Sequence, residues 1–208
     1  MVFLTLEFFV SLQFSASTII DVGVSRGTPW LYHSFPENNF ILVDPIPGFD
    51  KFLVDPPKNY ECVNLALGSS NGTVMLDLRG PRSSVHRWSK ESNSVSEGLI
   101  EVDVDTLDAL IERHVPSGLI GLKIDTEGHE VDVLRGLLEK SSRIEFIVCE
   151  CSVRRRFDDD YRFSDLIAEA ALKGFEFYNF ISAQKARPVH YDVLFLRSDD
   201  RRFGLGCF

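Results

Sequence analysis

Apolar residues along this chain fall into short runs of strand length, separated by stretches whose apolar positions recur every three or four residues. The runs at 18–22, 40–44, 61–67, 99–104, 119–125 and 144–151 are predicted to be strands. Helices are predicted at 28–35, 130–140 and 163–173, and another starts after Thr106, where Leu107, Leu110 and Ile111 share one face. Pro29 stands where a helix accepts proline, in its first turn. Strands alternating with helices imply a mostly parallel sheet covered on both faces. The last two predicted strands, 174–181 and 190–197, are joined by too few residues for a crossover helix, so they must pair antiparallel. Asn71-Gly72 is a strong hairpin signal and predicts that 73–78 folds back on 61–67.

Two stretches stand outside this alternation. Residues 1–17 carry Phe3, Phe8, Phe9 and Phe14 but no Lys or Arg, and Glu7 interrupts the apolar run. That pattern lacks the charged start of a targeting signal and is too short to span a bilayer, so a leading helix or strand packed on the sheet is expected. Residues 79–98 are rich in Ser, Gly, Asn and charge and show no period. A loop of that length is unusual unless it has a task, and His86, Arg87 and Trp88 make it a candidate lid. No repeat is visible, and 208 residues read as one domain spanning 1–208.

The chemistry gathers where the predicted strands end. Asp21, Asp44, Asp125 and Glu150 occupy four such ends, and open α/β sheets bind ligands outside the carboxyl ends of their strands. Between Asp21 and Pro29 the chain reads Val-Gly-Val-Ser-Arg-Gly-Thr, with glycines at Gly23 and Gly27, a tight turn leading into a helix. Asp44 lies 21 residues beyond Gly23, the distance at which doubly wound units place an acid on ribose hydroxyls. The turn lacks the third glycine of a dinucleotide fingerprint and carries an acid that would repel a pyrophosphate. A cationic nucleoside cofactor, S-adenosylmethionine, suits it better than NAD. Glu127, His129 and Glu130 crowd behind Asp125, the densest group of titratable residues; Glu130 also has a plain role at the start of the following helix.

Charge and cysteine content narrow the field. A formal net charge of −9 excludes a general nucleic-acid binder, and the local Arg154-Arg155-Arg156 run is followed at once by three acids, Asp158-Asp159-Asp160, as in a solvated loop. The cysteines Cys62, Cys149, Cys151 and Cys207 show no zinc or redox spacing, which points to a reduced, cytoplasmic setting. A hydrophobic fraction of 44% is ordinary for a globular chain.

The motifs also occur in a familiar order. Lys123-Ile124-Asp125-Thr126-Glu127-Gly128-His129-Glu130 resembles the K-I-D-V-E-G-x-E signature of the FkbM family of S-adenosylmethionine-dependent methyltransferases. Asp21-Val22-Gly23-Val24-Ser25-Arg26-Gly27 is similar to that family's D-V-G-A-N-x-G, and Val43-Asp44-Pro45-Ile46-Pro47 to its E-P-x-P. Ala66-Leu67-Gly68, Asn71-Gly72 and the closing Tyr191-Asp192-Val193-Leu194-Phe195 fit as well, over roughly residues 18–197. Ser25 stands for the usual Asn and Asp44 for the usual Glu. The resemblance implies an α/β fold with a Rossmann-like class I methyltransferase sheet, mostly parallel with an antiparallel C-terminal hairpin. It implies O-methylation of a sugar, glycan or polyketide-like hydroxyl. Cofactor contacts are then expected from Asp21, Gly23, Ser25 and Gly27 on the methionine side, Asp44 on the ribose and Leu67 beside the adenine. Asp125 is the expected general base, with Glu127 and His129 beside it. The family requires no metal, although Asp125 with Glu127 or Glu150 offers carboxylates for one. The competing readings are a cofactor-binding module without catalysis and, further off, an NAD-dependent oxidoreductase.

Overall fold

The computed structural model describes residues 2–86, 95–154, 156–158, 160–182, 186 and 188–204. The chain begins with a helix, Val2–Leu12 (α1), and enters the sheet at Thr18–Val22 (β1). Pro29–Ser34 (α2) leads to Asn39–Val43 (β2) and, past a short 3-10 turn, to Asn59–Val63 (β3). Ala66–Leu67 (β4), Gly72–Leu78 (β5) and Gly98–Asp105 (β6) follow, then Leu107–His114 (α3). Ile120–Ile124 (β7), Glu130–Arg135 (α4), Ile144–Ser152 (β8), Phe163–Leu172 (α5), Phe175–Phe180 (β9) and His190–Arg197 (β10) complete the fold.

Seven strands form one sheet in the order β3-β2-β1-β7-β8-β10-β9. The first five run parallel, and β10 is antiparallel to both β8 and β9. This is the expected mostly parallel sheet with its antiparallel C-terminal hairpin. The chain order reverses beside β1, where β2 lies on one side and β7 on the other. That is the switch point at which such sheets hold ligands.

Every residue of β1 and β7 is buried, because helices cover both faces. Ile20, Val22, Leu122 and Ile124 pack against Leu107, Leu110 and Ile111 of α3, Val133 and Leu134 of α4, and Leu166 of α5. Ile19, Phe40, Leu42 and Phe146 face the other way, onto Phe9 and Leu12 of α1 and Leu31 and Tyr32 of α2. Each such side chain contributes roughly 1.5–3 kcal/mol of burial free energy. The leading segment is thus a helix on the sheet, as its aromatic content implies. Arg202 near the other end of the chain holds it there, donating from Nε to the Leu12 carbonyl at 2.8 Å and lying over the Phe14 ring.

Three local expectations need correction. The run 61–67 is not one strand. Asn64 turns out of the sheet, its side-chain amide donating to the Asp44 carbonyl at 2.8 Å, and the two-residue β4 joins a separate three-stranded sheet ordered β4-β6-β5. Residues 73–78 do lie in an antiparallel strand, but their partner is β6, which pairs along seven positions from Gly72↔Val104 to Leu78↔Gly98. Two residues of β4 offer no comparable ladder, so the longer alternating strand wins the pairing. The helix expected at 130–140 ends at Arg135. A Cβ at residue 136 would overlap the Gly68 carbonyl, so the chain passes there as Gly136. Asp108 then accepts the backbone N–H groups of Leu138, Glu139 and Lys140, drawing the chain off the helical path and leaving Leu138 exposed.

The expected loop 79–98 joins β5 to β6. Its first residues are ordered by backbone bonds between Asp77 and Ser84 and by the Arg79–Asp77 ion pair, while Arg87 and Trp88 lie outside the described residues. Among the described residues no helix is long and apolar enough to cross a membrane.

Candidate functional site

The turn after β1 is built around one close approach. Gly23 has φ 79°, and a Cβ on it would overlap the carbonyl oxygen of Asp125. The Asp125 N–H donates to the Val22 carbonyl at 2.9 Å and the Gly23 N–H to the Val43 carbonyl at 2.9 Å. The ends of β1, β2 and β7 are therefore drawn together at a position where a side chain has no room. Ser25 and Glu127 both adopt φ 51°, a left-handed conformation that L residues seldom accept without compensation. Both lie in this region.

Compensation at Ser25 comes from Asp44. The Ser25 N–H donates to Asp44 Oδ2 at 2.8 Å, and the Ile46 N–H donates to Asp44 Oδ1 at 2.9 Å. Burial pushes the Asp44 carboxyl above its usual range, while those two N–H groups pull it back. Glu130 does a similar task for the other loop. Its Oε1 accepts from the Thr126 N–H, the Thr126 hydroxyl and the Gly128 N–H, which shapes the segment carrying Asp125, Glu127 and His129. The expected helix-start role of Glu130 is thus extended into the loop before it.

A cleft of about 580 Å³, part of it open to solvent, lies over this switch point. It is lined by Gly23, Ser25, Asp44, Asp125, Glu127 and His129 and by the apolar side chains of Ile46, Ala66, Leu67, Leu76 and Val85. An adjoining recess is lined by Gly23, Ser25, Gly27, Lys123, Asp125, Glu127 and Glu150. The structure thus brings together all but one of the candidates. Asp21 is fully buried beneath the turn, accepting from the Tyr32 hydroxyl at 2.8 Å with Lys123 Nζ 3.4 Å away.

Lys123 ties that buried acid to the cleft. Its ammonium lies 3.2 Å from Asp125 Oδ2 as well, and although burial works against the charge, Asp125 and Asp21 outweigh it and hold the lysine protonated. Burial pushes the Glu127 carboxyl up to about 7, with Asp125 and Glu130 adding to the rise against the pull of Arg156. Glu150 is likewise raised, by burial first and then by Asp125 and Glu127. Burial lowers the His129 imidazole, against the attraction of Asp132.

Arg156 was not expected here. The run around it reads as a solvated loop, yet its guanidinium donates from Nη1 to Glu127 Oε2 at 2.6 Å and from Nη2 to Glu150 Oε2 at 3.2 Å. The signal for its inward course is the next residue. Phe157 is buried against Gly128, where a Cβ would collide with its ring, and this draws Arg156 in while Arg154 stays exposed. Tyr32 is also beyond sequence reasoning, since it stands in no motif, whereas His86, expected in the candidate lid, lies 3.1 Å from His129.

The methyltransferase FkbM domain family model matches residues 21–177. No curated protein matches the sequence. Among solved structures, magnesium protoporphyrin IX methyltransferase from Synechocystis PCC 6803, with bound S-adenosylmethionine, superposes with a TM-score of 0.51 at 9% identity, covering 94% of this chain and 77% of that one. Precorrin-6y C5,15-methyltransferase from Geobacter metallireducens gives 0.47 at 9% identity, with coverages of 94% and 88%. The first of these likenesses shares the fold.

Proposed function

Because the chain belongs to the FkbM methyltransferase family, we propose that its cleft binds S-adenosylmethionine and that it methylates a hydroxyl oxygen of a small acceptor such as a sugar, glycan or polyketide-like molecule. The donor set suits this cofactor. The cleft has an apolar wall for a purine at Leu67 and Ile46, a carboxylate for a ribose diol at Asp44, and acids in place of the cations a pyrophosphate would demand. Asp44 spends one lone pair of each oxygen on Ser25 and Ile46, leaving the others for hydroxyl groups. Gly23, Ser25 and Gly27 border the methionine side, and Asp21 acts from beneath through Lys123 and Tyr32.

When bound, the cofactor supplies a methyl group on a sulfonium, electrophilic enough to be taken by an oxygen. The hydroxyl proton must leave, and Glu127 is the group suited to receive it. It lines both the cleft and the adjoining recess, and a proton acceptor near 7 is matched to work at neutral pH. Asp125, beside it and ion-paired to Lys123, presents a fixed negative charge to the cation. His129, held neutral by burial, is a weaker base than Glu127.

The observation that carries the reading is that Asp125 and Glu127 both line the cleft and the adjoining recess. The test is methyl transfer from labelled cofactor to a panel of hydroxyl, amine and carboxylate acceptors. Label on hydroxyl acceptors supports it. Cofactor binding without transfer to any acceptor would instead favour a module without catalysis.

A further inference from the structure

The geometry points to a site for a divalent cation of the zinc class, formed by His86 Nε2, His129 Nδ1 and Asp132 Oδ2. All three ligand atoms lie within 4.8 Å of one another. His86 Nε2 is 3.1 Å from His129 Nδ1, and Asp132 Oδ2 is 3.5 Å from the same nitrogen. Ligands around a tetrahedral zinc at bond lengths of about 2.0–2.1 Å stand roughly 3.3 Å apart, so both separations match two edges of such a polyhedron.

Hydrogen bonding alone serves this arrangement poorly. His129 Nδ1 carries either one proton or one lone pair, in the plane of the ring. If protonated, it can donate to one neighbour and leaves the other facing it without a hydrogen. If unprotonated, it can accept from His86 but then meets the Asp132 oxygen lone pair to lone pair. A cation equidistant from the three satisfies all of them at once.

The ligands are also braced from outside. Asp132 Oδ1 accepts from Arg135 Nη1 at 2.9 Å, which fixes the carboxylate plane. The buried Ser84 hydroxyl donates to the Glu127 carbonyl at 2.7 Å and accepts from the His86 N–H at 3.0 Å, so the strand of chain bearing His86 is pinned over the loop bearing His129. Such outer contacts are what orient metal ligands. Two imidazoles and one carboxylate select zinc, cobalt, nickel or iron over magnesium and calcium. Three protein ligands leave a fourth position for water or an incoming oxygen. His129 lines the cleft, so the ion would sit at its wall. A role on an acceptor hydroxyl rests on the methyl-transfer reading; binding of the ion does not.

The test therefore omits the cofactor. Chelator-treated full-length protein is titrated calorimetrically with Zn²⁺ alone and with Mg²⁺ alone, beside His86→Ala and Asp132→Asn. The expected result is one Zn²⁺ per chain, no measurable Mg²⁺ binding, and at least tenfold weaker Zn²⁺ binding in each variant with circular dichroism unchanged. Co²⁺ loading of the unaltered protein should give tetrahedral visible bands without a thiolate charge-transfer band. Two results would overturn the site: no stoichiometric Zn²⁺ in the unaltered protein, or unchanged affinity in both variants, which would assign the ion to cysteines elsewhere.

Discussion

The backbone N–H of Ser25 donates to the Asp44 carboxylate at 2.8 Å, so the acid expected to read a ribose also holds the turn between Gly23 and Gly27. The proposed ribose and methionine sides of the cleft are thus one hydrogen-bonded unit. Ser25 keeps its left-handed φ of 51° because Asp44 fixes it there.

Asp44→Asn should therefore cost both affinity and stability. An amide of the same shape accepts from only one of the two N–H groups and turns an N–H₂ on the other. A lost hydrogen bond to a charged group is worth roughly 1.5–3 kcal/mol, so S-adenosylhomocysteine should bind at least about tenfold more weakly. Calorimetry reads the affinity, and urea unfolding should show a lowered midpoint. Weak binding with an unchanged midpoint would restrict Asp44 to the ligand.

Gly23→Ala tests the close approach of β1 and β7. A positive φ penalises the new Cβ, and the Asp125 carbonyl occupies its place. Left-handed strain and overpacking cost about 1–3 kcal/mol each, so a loss of several kcal/mol in urea unfolding is expected, with cofactor binding abolished or nearly so. Because Asp125 would be displaced, turnover should fall further than affinity alone explains.

How far the sequence reveals this site depends on whether its parts are local. Gly23, Ser25, Asp44 and Asp125 follow strand runs within a few residues, so the period of the apolar positions places them at one edge of the sheet. The mostly parallel sheet and its antiparallel ending follow from the same pattern. Contacts made at long range do not. Arg156 meets Glu127 across 29 residues, and His86 meets His129 across 43, with no spacing rule to announce either. The pairing of β5 with β6 is hidden for the same reason, since Asn71-Gly72 signals a turn but not which strand lies beyond it. The early end of α4 is also non-local, being set by the Gly68 carbonyl against Gly136 and by the Asp108 carboxylate.

The pH dependence follows from Glu127, whose carboxyl is pushed up to about 7. A base must be unprotonated to act, so kcat/KM should rise with pH and level off above about 7. Glu127→Gln should remove that limb and lower turnover by about 10²–10⁴. Asp125→Asn should keep the limb but shift it to lower pH, since the Asp125 charge helps to raise Glu127. Turnover there should fall while S-adenosylmethionine affinity changes little. If the limb disappears in Asp125→Asn instead, Asp125 is the proton acceptor.

Arg156 sets the position of that limb. Its guanidinium bridges Glu127 and Glu150, two carboxylates that repel each other and are each raised by burial. Lysine in its place carries the same charge on one point, so it cannot contact both acids in the fork geometry that a guanidinium allows. Arg156→Gln removes the charge as well. The cation lowers the Glu127 pKa, so its loss raises that pKa and moves the rising limb of kcat/KM to higher pH. The shift should be larger for glutamine than for lysine. Both variants should lose turnover at pH 7, and the glutamine variant should recover much of it at higher pH as Glu127 ionises. Lysine should gain less from the rise in pH, because its retained charge leaves the Glu127 pKa closer to its original value. A pH profile that falls uniformly in both variants, with its midpoint unmoved, would reduce Arg156 to a structural strut.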